Sequence, residues 1–362
     1  MPRLSGIPIT LKHIAEHTGL SMMTVSRVVR GRPDVSLPSR RKVLAAVRRL
    51  GYIPNPAAQL LASRTAPGVQ DDRIIGTIFS REVVTSHSYF AGIIQGIADE
   101  ARRFDCHLLF GYGLGDATGR LDYPKMIREM MTRWIVLVGK VPPRFVRQLR
   151  GNGFSLVLVD MRPPARDMDA VVCEDALGAY AATRHLIKLG HRRIALLRGP
   201  ARHPFSQALP SGYRRALNES GIPVREDLVL EASLRPQGGY EAAETLLKRP
   251  TRPTAIFTND DMAIGALRGI HDRGLRVPED IALVGFDDIE YAAHTTPPLT
   301  TVAVPKEEMG RLAVRHAIAQ MEQGEQHVFS TTVVSHTLVI RSSCGTGLPH
   351  SELSHRQRRS EP

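Results

Sequence analysis

The stretch Ile9–Tyr52, ITLKHIAEHTGLSMMTVSRVVRGRPDVSLPSRRKVLAAVRRLGY, decides how this chain is read. Thr10 is a good N-cap for a helix over Leu11–Thr18, with Leu11, Ile14 and Ala15 on one face. Gly19 supplies a turn, and Ser21 caps a second helix over Met22–Val29 whose Val25, Val28 and Val29 face inward. A third helix follows over 38–50, with Val43, Leu44 and Val47 apolar and Arg40, Arg41, Arg48 and Arg49 outward. Two short helices joined through a glycine turn and backed by a third make a helix-turn-helix unit. Its second helix presents Met22, Met23, Ser26, Arg27 and Arg30 on the side its valines do not use. Arg27 has the reach for both acceptors of a guanine, and the hydroxyls of Ser21, Thr24 and Ser26 suit phosphate oxygens. A charged three-helix bundle with no role on DNA is the alternative that pattern alone leaves open.

Charge narrows that choice. Residues 1–70 hold eleven Lys/Arg against Glu16 and Asp34, so +9 of the net +12 sits in the first fifth of the chain. A basic excess confined to one small unit is the footprint of phosphate binding. Elsewhere the composition is ordinary, 42% hydrophobic and 5% aromatic, with no run approaching a membrane span. The first ten residues lack a secretion signal's apolar core, so the expected location is cytoplasmic, with no membrane partner. Cys106, Cys173 and Cys344 lie too far apart for a zinc cluster or disulfide framework, and no metal or other cofactor is expected.

Ile9–Tyr52, with its TVSRVV core at 24–29 and IPNPAAQLLA at 53–62, resembles the head of the lactose/galactose-repressor (LacI/GalR) family of bacterial transcription regulators. The resemblance implies that Arg27 reads a base in the major groove and that Met22 and Met23 tune operator choice. It also implies a homodimer on a pseudo-palindromic double-stranded operator. The chemistry of Met22 and Met23 allows apolar contact with a thymine methyl and no bidentate hydrogen bond. Asn55 before Pro56 starts a short helix, to about Ser63, ahead of a linker at 65–68. A helix that short is unstable alone, and the resemblance implies that it folds on DNA. Leu61 then matches the family's minor-groove wedge, and Ala58 the small residue that permits close approach. Thr10 and Asn55 join the expected DNA-contacting residues.

From Arg73 onward, short apolar runs alternate with helical patterns: 74–79, 89–103, 107–110, 126–132, 135–138, and so on to 281–284. That rhythm predicts βαβ units arranged as two doubly wound parallel sheets, with a ligand site beyond the carboxyl ends of the strands. LGHRRIALLRGP (189–200), TAIFTNDDMAIGAL (254–267), GLRVPEDIALVGFDD (274–288) and PPLTTVAVP (297–305) extend the resemblance through the body, implying a bilobal α/β architecture like that of periplasmic binding proteins. The expected domains are a helix-turn-helix head at 1–54, a hinge helix and linker at 55–72, an effector-binding body at 73–345 and a polar tail at 346–362.

Carried over by motif, Asn259, Asp261 and Asp287 follow strands and direct polar groups into the cleft, and Asp160 is a fourth candidate. Taken singly, each aspartate is also readable as a helix cap or turn residue, and together they fit a hydrogen-bonding ring for a polar ligand. Tyr89 and Phe90 match the family's aromatic floor under a small-molecule effector. The chain departs from the family at Leu209, where an arginine is usual, and at Arg133-Trp134. Leu209 with Leu234 predicts an apolar wall in the cleft, and Arg202 and His203 supply positive charge from another side. The expected effector is a sugar, sugar acid or related metabolite with one apolar side, in place of a fully hydroxylated sugar held by a guanidinium.

No metal-protease His pair or G-x-S-x-G is present, and the glycines at 111, 113 and 115 lack dinucleotide-loop spacing, so no enzyme is expected. The competing reading is a periplasmic-type binding protein without a DNA role, which the basic head disfavours.

Overall fold

In the computed structural model, residues 10–29, 35–50, 73–80, 87–112, 123–201 and 204–346 are described. The chain divides into two units, 1–72 and 73–362. The first contains α1 (Leu11–Thr18), α2 (Met22–Val29) and α3 (Leu37–Leu50). The Thr10 N–H donates to His13 Nδ1 at 3.0 Å. Gly19, at φ 66°, closes α1 by donating its N–H to the Ala15 carbonyl, a left-handed cap that glycine adopts without a Cβ penalty. Ser21 Oγ accepts the Thr24 N–H at 3.1 Å and so caps α2. Ile14, Ala15, Val25, Val28, Val43 and Ala46 meet in one small core. Leu44 is 41% exposed, because Val43, Ala46 and Val47 already fill the single stripe that α3 turns inward.

The second unit runs β1 (Ile74–Phe79), α4 (His87–Arg103), β2 (His107–Tyr112), α5 (Lys125–Arg128), β3 (Trp134–Val138), α6 (Pro143–Gly151), β4 (Ser155–Val159), β5 (Asp169–Cys173), α7 (Asp175–Lys188) and β6 (Ile194–Arg198). It continues through α8 (Pro204–Glu219), β7 (Val229–Glu231), α9 (Pro236–Leu247), β8 (Ala255–Phe257), α10 (Asp260–Asp272), β9 (Ala282–Asp287), β10 (Thr300–Ala303), α11 (Lys306–Gln323), β11 (Thr331–Val334) and β12 (Thr337–Val339). These strands form two six-stranded sheets, ordered β11-β5-β4-β3-β1-β2 and β12-β10-β9-β8-β6-β7. All pairs are parallel except β10 with β12. Strands such as Ile135–Val138 and Leu156–Val159 are buried along their whole length, as expected where helices cover both faces.

The chain passes between the sheets three times, at 173–175, 303–306 and 334–337. Helix α11 returns to the first lobe and packs on α4 so closely that a Cβ at Gly96 would lie 1.9 Å from the Glu307 carbonyl oxygen. In each sheet the strand order reverses at one place, between β1 and β3 and between β6 and β8. Ligands of doubly wound sheets bind outside the carboxyl ends at such reversals.

Candidate DNA interface and effector cleft

The face of α2 opposite its valines is open. Met22 and Met23 are 57% and 67% exposed, Arg27 is exposed, and Ser26 and Thr24 are half-buried. Arg41, Lys42 and Arg49 add exposed positive charge on α3. Ser21 Oγ and Thr24 Oγ1 lie 2.9 Å apart, so the two hydroxyls expected to meet phosphate already engage each other and the cap. Arg30, Asn55, Ala58 and Leu61 lie outside the described residues, as do Arg202 and His203.

In the body, the ends of both sheets contribute to one group of side chains. Asp160 follows β4 in the left-handed region, φ 61°, and Asp287 ends β9 at φ 108°. Tyr89, in the first turn of α4, faces the Asp160 carboxyl and feels its charge together with that of Asp287 from the other lobe. Burial pushes the Asp160 carboxyl up to about 8, with the nearby Asp175 carboxylate adding to the shift. Asp287 is raised as well, by burial first and then by Asp260, with Lys306 opposing. Both aspartates keep some exposed surface while protein encloses them on most sides, the setting of a group at the bottom of a cleft. The rings of Tyr89 and Phe90 meet edge to face at 5.0 Å beside them.

Two buried hydroxyls without a described partner lie at the same strand ends. Ser80 follows β1, its side chain is buried, and its Oγ has no hydrogen bond. Ser206, in the first turn of α8, is fully buried with an unpaired Oγ beside Gly199 at the end of β6. One orphaned hydroxyl therefore marks each sheet's reversal point. Buried polar groups are normally paired, so these two positions are suited to a polar ligand.

Comparison with known proteins agrees with this division. Residues 10–55 match the family profile "Bacterial regulatory proteins, lacI family", and residues 183–344 match "Periplasmic binding protein-like domain". The chain is 34% identical over 312 residues to catabolite control protein A of Priestia megaterium, covering 85% of this chain and 91% of that one. The chain belongs to the lacI family. Another relative, the ribose operon repressor of Haemophilus influenzae, is 30% identical over 337 residues, covering 92% and 98% of the two chains. A solved lac repressor dimer, bound to operator and the anti-inducer ONPF, matches with a TM-score of 0.79 at 26% identity, covering 93% of this chain and 99% of that one. This lacI-family chain is a DNA-binding transcriptional regulator with an effector-binding body.

Two expectations about this regulator's cleft need correction. Leu209 has no exposed surface and belongs to the apolar core with Tyr213, Leu196 and Phe286, so it forms no wall for a ligand. The helical phase of α8 turns position 209 onto the sheet. Asn259 is the N-cap of α10, where its Oδ1 accepts the Met262 N–H at 3.3 Å. That oxygen serves the helix in place of the cleft.

Tyr89, Asp160 and Asp287 come together, and Asp261 sits half-buried in the first turn of α10, its carboxyl raised by burial. Leu234 is half-buried against Gly199, beside Ser206, and keeps a place near the cleft. Sequence reasoning missed Asp260, Asp175 and His336. Asp260 is fully buried, accepting from Thr301 Oγ1 at 2.6 Å and the Ile289 N–H at 2.9 Å, and its carboxyl is pushed up by burial to about 7. Its signal was the Asp-Asp pair at 260–261, of which helical phase buries one. Asp175 and His336 lie on interlobe crossings, which no local pattern marks.

Proposed function

We propose that this regulator binds a pseudo-palindromic operator as a homodimer, represses the adjacent gene, and is switched by a small ligand held between the two lobes of the body. The observation that carries the reading is the exposed face of α2, where Met22, Met23 and Arg27 stand on a helix whose opposite side is sealed by Val25 and Val28. A helix held by two packed neighbours, α1 and α3, and offering long side chains is what a major groove accepts. The lac repressor dimer on its operator and the CelR–cellobiose complex (TM-score 0.65, 29% identity, covering 92% of this chain and 99% of that one) support the two halves of the proposal. Arg27 reads a base, while Thr10, Ser21, Thr24, Ser26 and Arg30 hold phosphates. Asn55, Ala58 and Leu61 belong to a hinge that forms on DNA, and Leu61 opens a central base step.

Tyr89, Phe90, Asp160, Asp261, Asp287, Leu234 and His203 line the effector cleft in this reading, with its site of action the bacterial cytoplasm. No helix among the described residues is long and apolar enough to cross a membrane. The test is fluorescence anisotropy with the full-length chain on duplexes from around its own gene, with random duplex as competitor. Binding that resists random competitor supports the reading, and equal competition by any duplex refutes it.

A further inference from the structure

Among the described residues, the cleft joins acidic groups with too few matching cations. Asp160 ends a strand of the first lobe, Asp287 ends one of the second, and Asp175 begins α7 on the first crossing between them. Each acts electrostatically on the others or on the shared Tyr89. The described cations nearby are committed elsewhere. Arg162 pairs with Glu174 at 2.5 Å, Arg198 with Glu231 at 3.0 Å and Arg341 with Asp288 at 2.8 Å. Lys306 Nζ donates to the backbone carbonyls of Asp287 and Asp288 and offsets Asp287 only in part.

An independent observation lies on the third crossing. The His336 side chain is 7% exposed, its ring meets Phe286 edge-on at 5.3 Å, and its Nε2 has no hydrogen-bond partner. That nitrogen points toward the acidic group, 3.7 Å from Asp175 Oδ1. The orphaned hydroxyls of Ser80 and Ser206 stand at the reversal points of the two sheets. A neutral polyol would answer the hydroxyls and leave the carboxyls either repelling one another or protonated. An ammonium answers both, because enclosed carboxylates are stable only beside positive charge. The edge-to-face rings of Tyr89 and Phe90 supply the aromatic surface that cations also favour.

We propose that the effector is a small organic cation, a protonated amine on a compact polar body, with its ammonium held by Asp160, Asp175 and Asp287. The inference rests on the reading of this cleft as the effector site. It predicts a proton signature. Without ligand, burial and mutual repulsion keep Asp160 and Asp287 protonated well above the usual carboxylate range. Facing them are Tyr89 from α4, Cys173 from β5, Asp175 from α7, Asp260 from α10, Lys306 from α11 and His336 from the third crossing. An arriving ammonium favours the ionised acids, so binding releases protons to the buffer.

The experiment is a thermal-shift screen of the full-length protein with matched probes: glucosamine against glucose and N-acetylglucosamine, and putrescine against 1,4-butanediol, with magnesium and calcium chloride as metal controls. The best binder is then titrated calorimetrically in buffers of different ionisation enthalpy. Amines should raise Tm in a saturable way where their neutral partners do not. Their binding should release protons, and Asp175→Asn, once shown to unfold cooperatively, should weaken it about tenfold or more. A neutral probe or a metal ion binding more tightly than the amines overturns the proposal, as does an amine series without a saturable shift or binding without proton release. Specific DNA binding that persists in such a case leaves the regulator reading standing and removes only the ligand class.

Discussion

Asp160 carries the sharpest residue-scale consequence. Its carboxyl moves from an ordinary 3.8 up to about 8 in the fold, chiefly through burial. Between those values the folded protein keeps a proton that the unfolded chain has lost, so stability falls as pH rises through that window. Asp160→Asn cannot ionise and should gain on the wild type as pH increases from roughly 5 to 8. Urea unfolding at several pH values measures this, and parallel profiles would contradict it. Leu209 separates core from cleft. Its complete burial predicts that Leu209→Ala costs about 2–5 kcal/mol of stability, read as a lower denaturation midpoint. Had it lined the cleft, the main effect would fall on ligand affinity at little cost in stability. On α2, Arg27→Ala should lose about 1–3 kcal/mol per half-site on operator and much less on random duplex. Competition binding decides, and an equal loss on both would assign Arg27 to phosphate.

At the scale of elements, capping and apolar spacing made the head legible: Thr10, Gly19 and Ser21 mark the ends of α1 and α2 where the structure has them. In the body, the apolar runs of the central strands were equally plain, and β1 falls on the residues expected. The start of α8 was not legible, because Pro210 sits inside it and reads as a breaker. Without an N–H, Pro210 cannot bond the Ser206 carbonyl one turn back, which loosens the turn that holds the orphaned hydroxyl. Strands β5, β11 and β12 and helices α6 and α11 were also unread. The two late strands lie at or near sheet edges with half-exposed residues, so period-2 patterning is weak there. The packing of α11 on α4 gives a direct test. A methyl at Gly96 would meet the Glu307 backbone oxygen, which no side-chain rotation relieves, so Gly96→Ala should destabilise by about 1–3 kcal/mol. A thermal midpoint equal to wild type would show that the helices separate at no cost.

For the whole molecule, function follows from joining a basic head to a cleft made by two lobes and three crossings. The charge partition and the helix-turn-helix were readable because both are local in sequence. The acidic group was readable only in part, since Asp175, His336 and Lys306 converge through crossings far apart along the chain. In the proposed reading the chain selects a two-fold DNA sequence through α2. Repeated selection of random duplexes by the purified full-length protein measures it most directly. Enrichment of an inverted repeat is expected, with half-sites that lose their preferred base in the Arg27→Ala protein. Recovery of no motif, or of the same motif by wild type and variant alike, would contradict it.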